Sequence, residues 1–294
     1  MLIAQLLLNG VALGAAYALV ALGFVLVLNA TSAVNFAQGD MVMAGGFLAV
    51  ALAWLLPEAA AGLGIVLLPA VLAATAAFGL VLSAVAYMPL RRQPPVAVFI
   101  STIAVGIILA NGVNAIFGAA PRATPPLLGG GQLQLGGLFV GRQALAVIAV
   151  AAALIAGLGL LLGRTQLGRK LRATAQDAEM AQALGIDVVT MIALSFALAT
   201  ALAGAAGLLL AHQFFVTPSE GGTLMLKAYI AVVIGGWGSL RGAVVGALLI
   251  ALFEVVVAAF VSHPVAEGAL FVSVLAILLL RPQGVFGEAA QRRA

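Results

Sequence analysis

The sequence predicts an all-α, polytopic integral membrane protein, and three observations predict it. The chain is 64% hydrophobic with a mean hydropathy of +1.24 across 294 residues, well outside the range of soluble globular domains. Charged residues make up only 7%, too few to solvate the surface of a soluble fold of this size. Apolar runs of about 20 residues, the length of one bilayer crossing, recur along the chain. A single transmembrane domain, 1–294, accounts for all three, with polar loops at 119–142 and 163–187.

In chain order, Leu2 to Leu28 is the first apolar run. It has no basic segment before it and no clean cleavage site, so it reads as a retained helix. Met41 to Leu56 follows the polar stretch Asn29 to Asp40, then comes Leu63 to Met88, and the turn Pro89 to Pro95 carries Arg91 and Arg92. Val96 to Gly118 spans next. The loop Ala119 to Arg142 is rich in Pro, Gly and Gln, and its alternation at Gln132 to Leu138 predicts a small hairpin outside the bilayer. Gln143 to Leu162 and Val188 to Ala211 flank the second polar loop. Thr223 to Phe260 is apolar but broken by Gly235 to Gly242, and Val265 to Leu280 closes the series. The total is about eight or nine spans, depending on whether the interrupted segments cross, re-enter or break within the bilayer.

Charge sets the orientation. Placing Arg91 and Arg92, the cluster Arg164, Arg169, Lys170 and Arg172, and the tail residues Arg281, Arg292 and Arg293 inside puts nine of the 13 basic residues in the cytoplasm. Loop 163–187 is then cytoplasmic, loop 119–142 extracytoplasmic, and the C-terminus inside. The net charge of +4 belongs to these topogenic loops rather than to a nucleic-acid surface. With no cysteine the chain has neither disulfides nor thiolate metal ligands. His212 and His263 lack a second ligand at metal spacing, which predicts no metal site, and both read as residues of the outer interface. No catalytic constellation is visible.

The most polar stretch, Gly163 to Asp187, combines the basic cluster with an Ala-rich segment. Thr174 to Leu184 predicts a short amphipathic helix, with Gly185 at its C′ stop and Asp187 starting the next element. Within it Glu179, Met180, Ala181 and Gly185 have the spacing Glu-x-Ala-x-x-x-Gly. Here the chain resembles the membrane subunits of ATP-binding-cassette importers, whose cytoplasmic Glu-Ala-Ala loop docks onto an ATPase. Met180 stands where that motif has its first Ala, and the Ile-x-Leu-Pro tail is missing. The stretches Asn9-Gly-Val-Ala-Leu-Gly-Ala-Ala-Tyr-Ala-Leu, Asn35-Phe-Ala-Gln-Gly-Asp-Met, Pro89-Leu-Arg-Arg, Ile100-Ser-Thr-Ile-Ala-Val-Gly and Gly235-Gly-Trp-Gly-Ser-Leu-Arg-Gly-Ala occur in this order. Together they look like the LivH-type subunits of the branched-chain amino acid permease family.

The resemblance implies a multi-pass subunit of a bacterial cytoplasmic (inner) membrane importer. Its partners would be a LivM-type second permease, two cytoplasmic ABC ATPase subunits and an extracytoplasmic substrate-binding protein, and its cargo an amino acid. Related permeases carry urea or short amides. It also implies an ATPase-coupling loop, onto which Arg172, Asp177, Glu179, Ala181 and Gly185 fall. The chain has no Gly-x-x-x-x-Gly-Lys-[Ser/Thr], so no cofactor of its own is expected and ATP would be bound by the partners.

Candidates for the translocation path are the two polar breaks and one buried charge. Four glycines in eight residues free the backbone around Gly235, Gly236, Trp237, Gly238 and Ser239, and free backbone at membrane depth requires protein or water to satisfy it. Gly242 and Gly246 fit close helix packing as well as path lining, and Gly10 and Gly14 make a second small-residue packing face. Asn35, Gln38 and Asp40 form a comparable break, or an ordinary cytoplasmic turn. Glu254 lies inside an apolar stretch and must face protein, water or a cation, with Lys227 or Arg241 as its structural partner in the alternative reading. Asn111 and Asn114 share a helix face suited to a neighbouring helix's backbone.

Three function classes follow. The leading one is the ATPase-driven pore half of an importer. An ion-coupled secondary amino-acid transporter would use Glu254 and Asp40 for coupling. A membrane-embedded enzyme is third, and the predicted loop helix favours the first.

Overall fold

The computed structural model describes residues 2–56, 63–135 and 138–280; the basic tail residues Arg281, Arg292 and Arg293 lie outside that range. The elements are α1 (Leu2–Thr31), α2 (Gln38–Ala53), α3 (Leu68–Leu82), α4 (Pro95–Phe117), β1 (Gln132–Leu135), β2 (Leu138–Gly141), α5 (Arg142–Arg164), α6 (Gln166–Gln176), α7 (Ala178–Ala183), α8 (Val188–Ala211), α9 (Gly221–Gly235), α10 (Leu240–Phe260) and α11 (His263–Leu280). Among the described residues seven helices are long and apolar enough to cross a membrane, and α2 and α9 are shorter apolar helices. The chain is a multi-pass membrane protein. The two short helices are the segments adjoining the predicted breaks.

The bundle has two ends. β1 and β2 pair antiparallel at one, with Leu135 opposite Leu138, where the loop alternation predicts a hairpin. At the other lie α6, α7 and the Arg91–Arg92 turn. The first is called the hairpin end here and the second the basic end.

α1 is the axis. It is hydrophobic on all sides, as a helix surrounded by protein requires, and its side chains from Ala15 to Leu28 are almost all buried. It touches β2 at one end and α6 at the other. α10 runs antiparallel to it: a Cβ at Gly10 would meet Leu252, one at Gly14 would meet Leu248, and Asn29 Nδ2 donates to Gly238 O at 2.9 Å. Gly10 and Gly14 are thus a packing face.

Two midpoints fix the depth of the short helices. Gln38 Nε2 donates at 3.0 Å to the carbonyl of Ala199, the middle of α8, which places the start of α2 halfway along the bundle. The Asp40 carboxylate lies over Gly106, the middle of α4, and over Gly221, the first residue of α9. α2 climbs from this level towards the hairpin end, with Gly45 against Gly204 and Gly207 against the Val42 carbonyl. α9 descends from it towards the basic end. The break at Asn35 to Asp40 is therefore interior, not a surface turn.

α3 ends in a π turn at Ser83–Tyr87 and a 3₁₀ turn at Met88–Leu90, leading to the Arg91–Arg92 loop. The single helix predicted over Thr174 to Leu184 is two helices. Asp177 leaves helical geometry (φ −156°, ψ 102°) and its carboxylate accepts the Met180 N–H at 2.9 Å, ending α6 and capping α7. Asn111 also departs from expectation, since its amide bonds back to Ile107 O of its own helix.

Candidate functional site

The site grows from the short helix α9. Its start at mid-bundle carries Lys227 into the interior a turn and a half later, where an unpaired ammonium would be costly. Across from it, α10 presents Glu254 and α1 presents Tyr17. Lys227 Nζ lies 2.6 Å from Glu254 Oε1 and donates to Tyr17 Oη at 3.1 Å, and Tyr17 donates to Glu254 Oε2 at 3.2 Å. All three side chains are buried. Glu254 thus has Lys227, rather than Arg241, as its partner. At the start of α11, His263 Nδ1 is 4.0 Å from Glu254 and Glu267 is 3.9 Å from Lys227.

This triad forms the floor of a cavity of about 300 Å³. Apolar side chains of α1, α2, α8 and α9 make its walls, and the segment Phe214 to Glu220 makes its rim. The rim is tied down: Val216 and Arg122 exchange both backbone hydrogen bonds, at 2.7 and 3.0 Å, and His212 Nδ1 lies 2.8 Å from Thr124 O. Phe215 adopts φ +60°, a conformation bulky residues rarely take.

The other candidates take different places. Asn35 and Gln38 are buried, and Asn35 Nδ2 and Gln38 Oε1 have no hydrogen-bond partner among the described residues. Asp40 sits at the junction of α2, α4 and α9. None of these three lines the cavity, although Val42 and Met43 on the next turn of α2 do. Gly235 to Ser239 is the turn between α9 and α10 at the basic end. Gly236 (φ +115°) and Gly238 (φ +80°) supply left-handed conformations there, and Ser239 Oγ accepts the Gly242 N–H at 3.0 Å. Trp237 is half exposed beside this turn, its ring packed edge-on against Phe24 and Tyr229. Gly242 and Gly246 pack α10 onto α9, against the carbonyls of Gly235 and Ala231.

The α6–α7 unit forms a separate surface at the basic end. Gly185 (φ +81°) is the stop: its N–H bonds Gln182 O and the Ile186 N–H bonds Ala181 O, both at 3.0 Å, the paired bonds of a Schellman end. Asp187 then caps α8 by accepting from Thr190, whose hydroxyl and N–H hold the Asp187 carboxyl below the usual carboxylate range. Ala181 is buried against the bundle, whereas Arg172, Asp177, Glu179 and Gly185 are exposed, as are the apolar Met180 and Leu184. A rigid, capped knob with apolar tips on a polar surface is suited to seating in another protein.

Residues 6–280 match the family model described as "Branched-chain amino acid transport system / permease component". The chain belongs to that family. The permease is therefore a transport component, not an enzyme. It is 34% identical over 293 residues to the high-affinity branched-chain amino acid transport system permease protein BraD of Pseudomonas aeruginosa, covering 97% of this chain and 95% of that one. The LivH permease protein of Escherichia coli K12 is 32% identical over 295 residues, with the same coverage. The probable LivH permease of Methanocaldococcus jannaschii is 29% identical over 288 residues, covering 92% and 88%. No solved structure matches the permease.

Glu254 is legible in the sequence, with Lys227 as one of two candidate partners beside Arg241, whereas Tyr17, Glu220 and Glu267 are not singled out there. The signal for Lys227 was present, because an ammonium in the run Thr223 to Ile234 obeys the same rule that singled out Glu254. Tyr17 carried no such signal, since a tyrosine in an apolar helix is ordinary until its hydroxyl is placed.

Proposed function

We propose that this permease is one of two membrane subunits of an ATP-driven importer for branched-chain amino acids in a bacterial cytoplasmic membrane. A LivM-type subunit completes the translocation path, two ABC ATPases bind on the basic end, and a substrate-binding protein delivers cargo to the hairpin end. The observation that carries this reading is the capped α6–α7 knob in a family member that has no phosphate-binding loop of its own.

Arg172, Asp177, Glu179 and Gly185 form the exposed coupling surface, and Ala181, buried beneath them, seats α7 on the bundle. When ATP closes the ATPase pair, the knob follows, and α5 and α8, attached on either side of it, tilt to open the path alternately outward and inward. Cargo binding alone does not drive this, because a ligand with equal affinity for both states shifts neither. The path passes the interior break, where the unpartnered amide atoms of Asn35 and Gln38 offer hydrogen bonds, then Asp40, and leaves near Gly235 to Ser239 and Trp237.

The test is affinity purification of the tagged permease from its native membrane in mild detergent. Co-purification of a second permease and two ATPases, with ATP hydrolysis stimulated by leucine-loaded binding protein, is the expected outcome. Stimulation by urea instead would reassign the cargo, and recovery of the permease alone would favour an ion-coupled transporter.

A further inference from the structure

The cavity above the triad has a charge pattern that its structural role does not require. Glu220, Glu254 and Glu267 face the single ammonium of Lys227 around it. One carboxylate suffices to pair Lys227, and Glu254 supplies it at 2.6 Å. Glu220, hydrogen-bonded to Thr217, and Glu267, 3.9 Å from the same ammonium, are partly exposed to the cavity and leave an excess of negative charge whether or not His263 is protonated. Such a pair favours a cationic group.

Lys227 also has capacity to spare. Its ammonium carries three donors; Glu254 and Tyr17 take two, and Glu267 at 3.9 Å is beyond hydrogen-bond range of the third. A donor for an anionic group therefore lies beside acceptors for a cationic one. Facing both is an apolar wall from Val42, Leu210, Leu224 and Phe215. The volume, about 300 Å³, is at the lower limit of small-molecule sites, which run from about 300 to 1,000 Å³. That size suits one amino acid rather than a peptide.

We propose that this cavity is a binding station within the permease for a zwitterionic amino acid with an apolar side chain. Glu220 and Glu267 take its ammonium, the third Lys227 donor takes its carboxylate, and its side chain lies on the wall formed by Val42, Leu210, Leu224 and Phe215. The station rests on the importer reading and deepens it: the permease itself inspects cargo released from the binding protein, rejecting molecules that leave either charged partner unsatisfied. The buried Lys227–Glu254–Tyr17 triad holds the anion-binding donor in place.

The experiment is equilibrium binding of tritiated leucine, by scintillation proximity, to the purified transporter complex without nucleotide or binding protein. Saturable binding is expected, displaced by unlabelled leucine. The half-ligands 4-methylpentanoate, which lacks the ammonium, and 3-methylbutylamine, which lacks the carboxylate, should compete at least about tenfold less well, as loss of a charge-assisted hydrogen bond requires. Glu267→Gln should weaken binding by about tenfold or more. Thr223→Trp, which adds bulk at an exposed lining position, should weaken it without disturbing the core.

Absence of saturable binding overturns the proposal, as does equal competition by the half-ligands, or unchanged affinity in both variants. ATP-driven leucine uptake by the same complex, reconstituted with its binding protein, separates the two readings. Uptake without direct binding removes the station and leaves the importer. Binding without ATP-driven uptake keeps the station and removes the importer.

Discussion

Lys227 on α9 and Glu254 on α10 meet at 2.6 Å inside the bundle, 27 residues apart in sequence and joined through the glycine turn at the basic end. The pair locks the two helices of that hairpin, and Tyr17 ties both to the central helix α1. Buried ion pairs of this kind are costly to break from one side, because the remaining charge is stranded.

Lys227→Met and Glu254→Gln should each destabilise the permease by about 3–5 kcal/mol, and the double substitution should recover much of that loss. Thermal unfolding in detergent measures it. A double variant as unstable as the sum of the singles would show that the residues act independently.

The glycine contacts predict a sharp positional contrast. At Gly207 a side chain would collide with the Val42 carbonyl, and at Gly246 with the Ala231 carbonyl, whereas a Cβ at Gly112 would meet no other element within 4 Å among the described residues. Gly207→Val and Gly246→Val should lower stability by at least about 1–3 kcal/mol, the cost of overpacking. Gly112→Val should leave melting unchanged. Equal effects at the three positions would mean that α2, α8, α9 and α10 do not pack as described.

At the basic end, Asp177→Ala removes the cap of α7 and should cost about 1 kcal/mol locally. Gly185→Val forces a branched side chain into φ +81° and should cost roughly 1–2 kcal/mol. Glu179→Lys reverses charge on the exposed surface proposed for coupling. Each should reduce uptake per ATP hydrolysed while the permease still inserts and assembles. Unchanged coupling in all three would separate this knob from energy transfer.

The fold was legible where one physical rule dominated. Apolar run length located every long helix to within a few residues, alternation located the hairpin, and Gly185 and Asp187 announced the boundary between α7 and α8. The split at Asp177 was less visible, because the Ala-rich flanks suit a continuous helix and only the carboxylate's bond to Met180 decides against it. Depth was not legible: Asn35 to Asp40 reads equally as a turn or a break until Gln38 is found against the middle of α8. The cavity was half legible. A buried Glu254 demands a partner, but Glu220 stands at the N-cap of α9, where acidic residues are ordinary, and Glu267 lies a turn into α11; only the folded bundle brings them to Lys227.

The most direct test of the coupling claim uses the absence of cysteine from the natural sequence. A single cysteine at exposed Gln182 on α7, or at Gln132 in the hairpin, can carry a short thiol-reactive cross-linker in the assembled, transport-competent complex. The account predicts cross-linking to an ATPase subunit from Gln182→Cys, with a yield that changes on adding ATP, and none from Gln132→Cys. ATPase cross-links from the hairpin position, or none from Gln182→Cys in a complex that still transports, would contradict it.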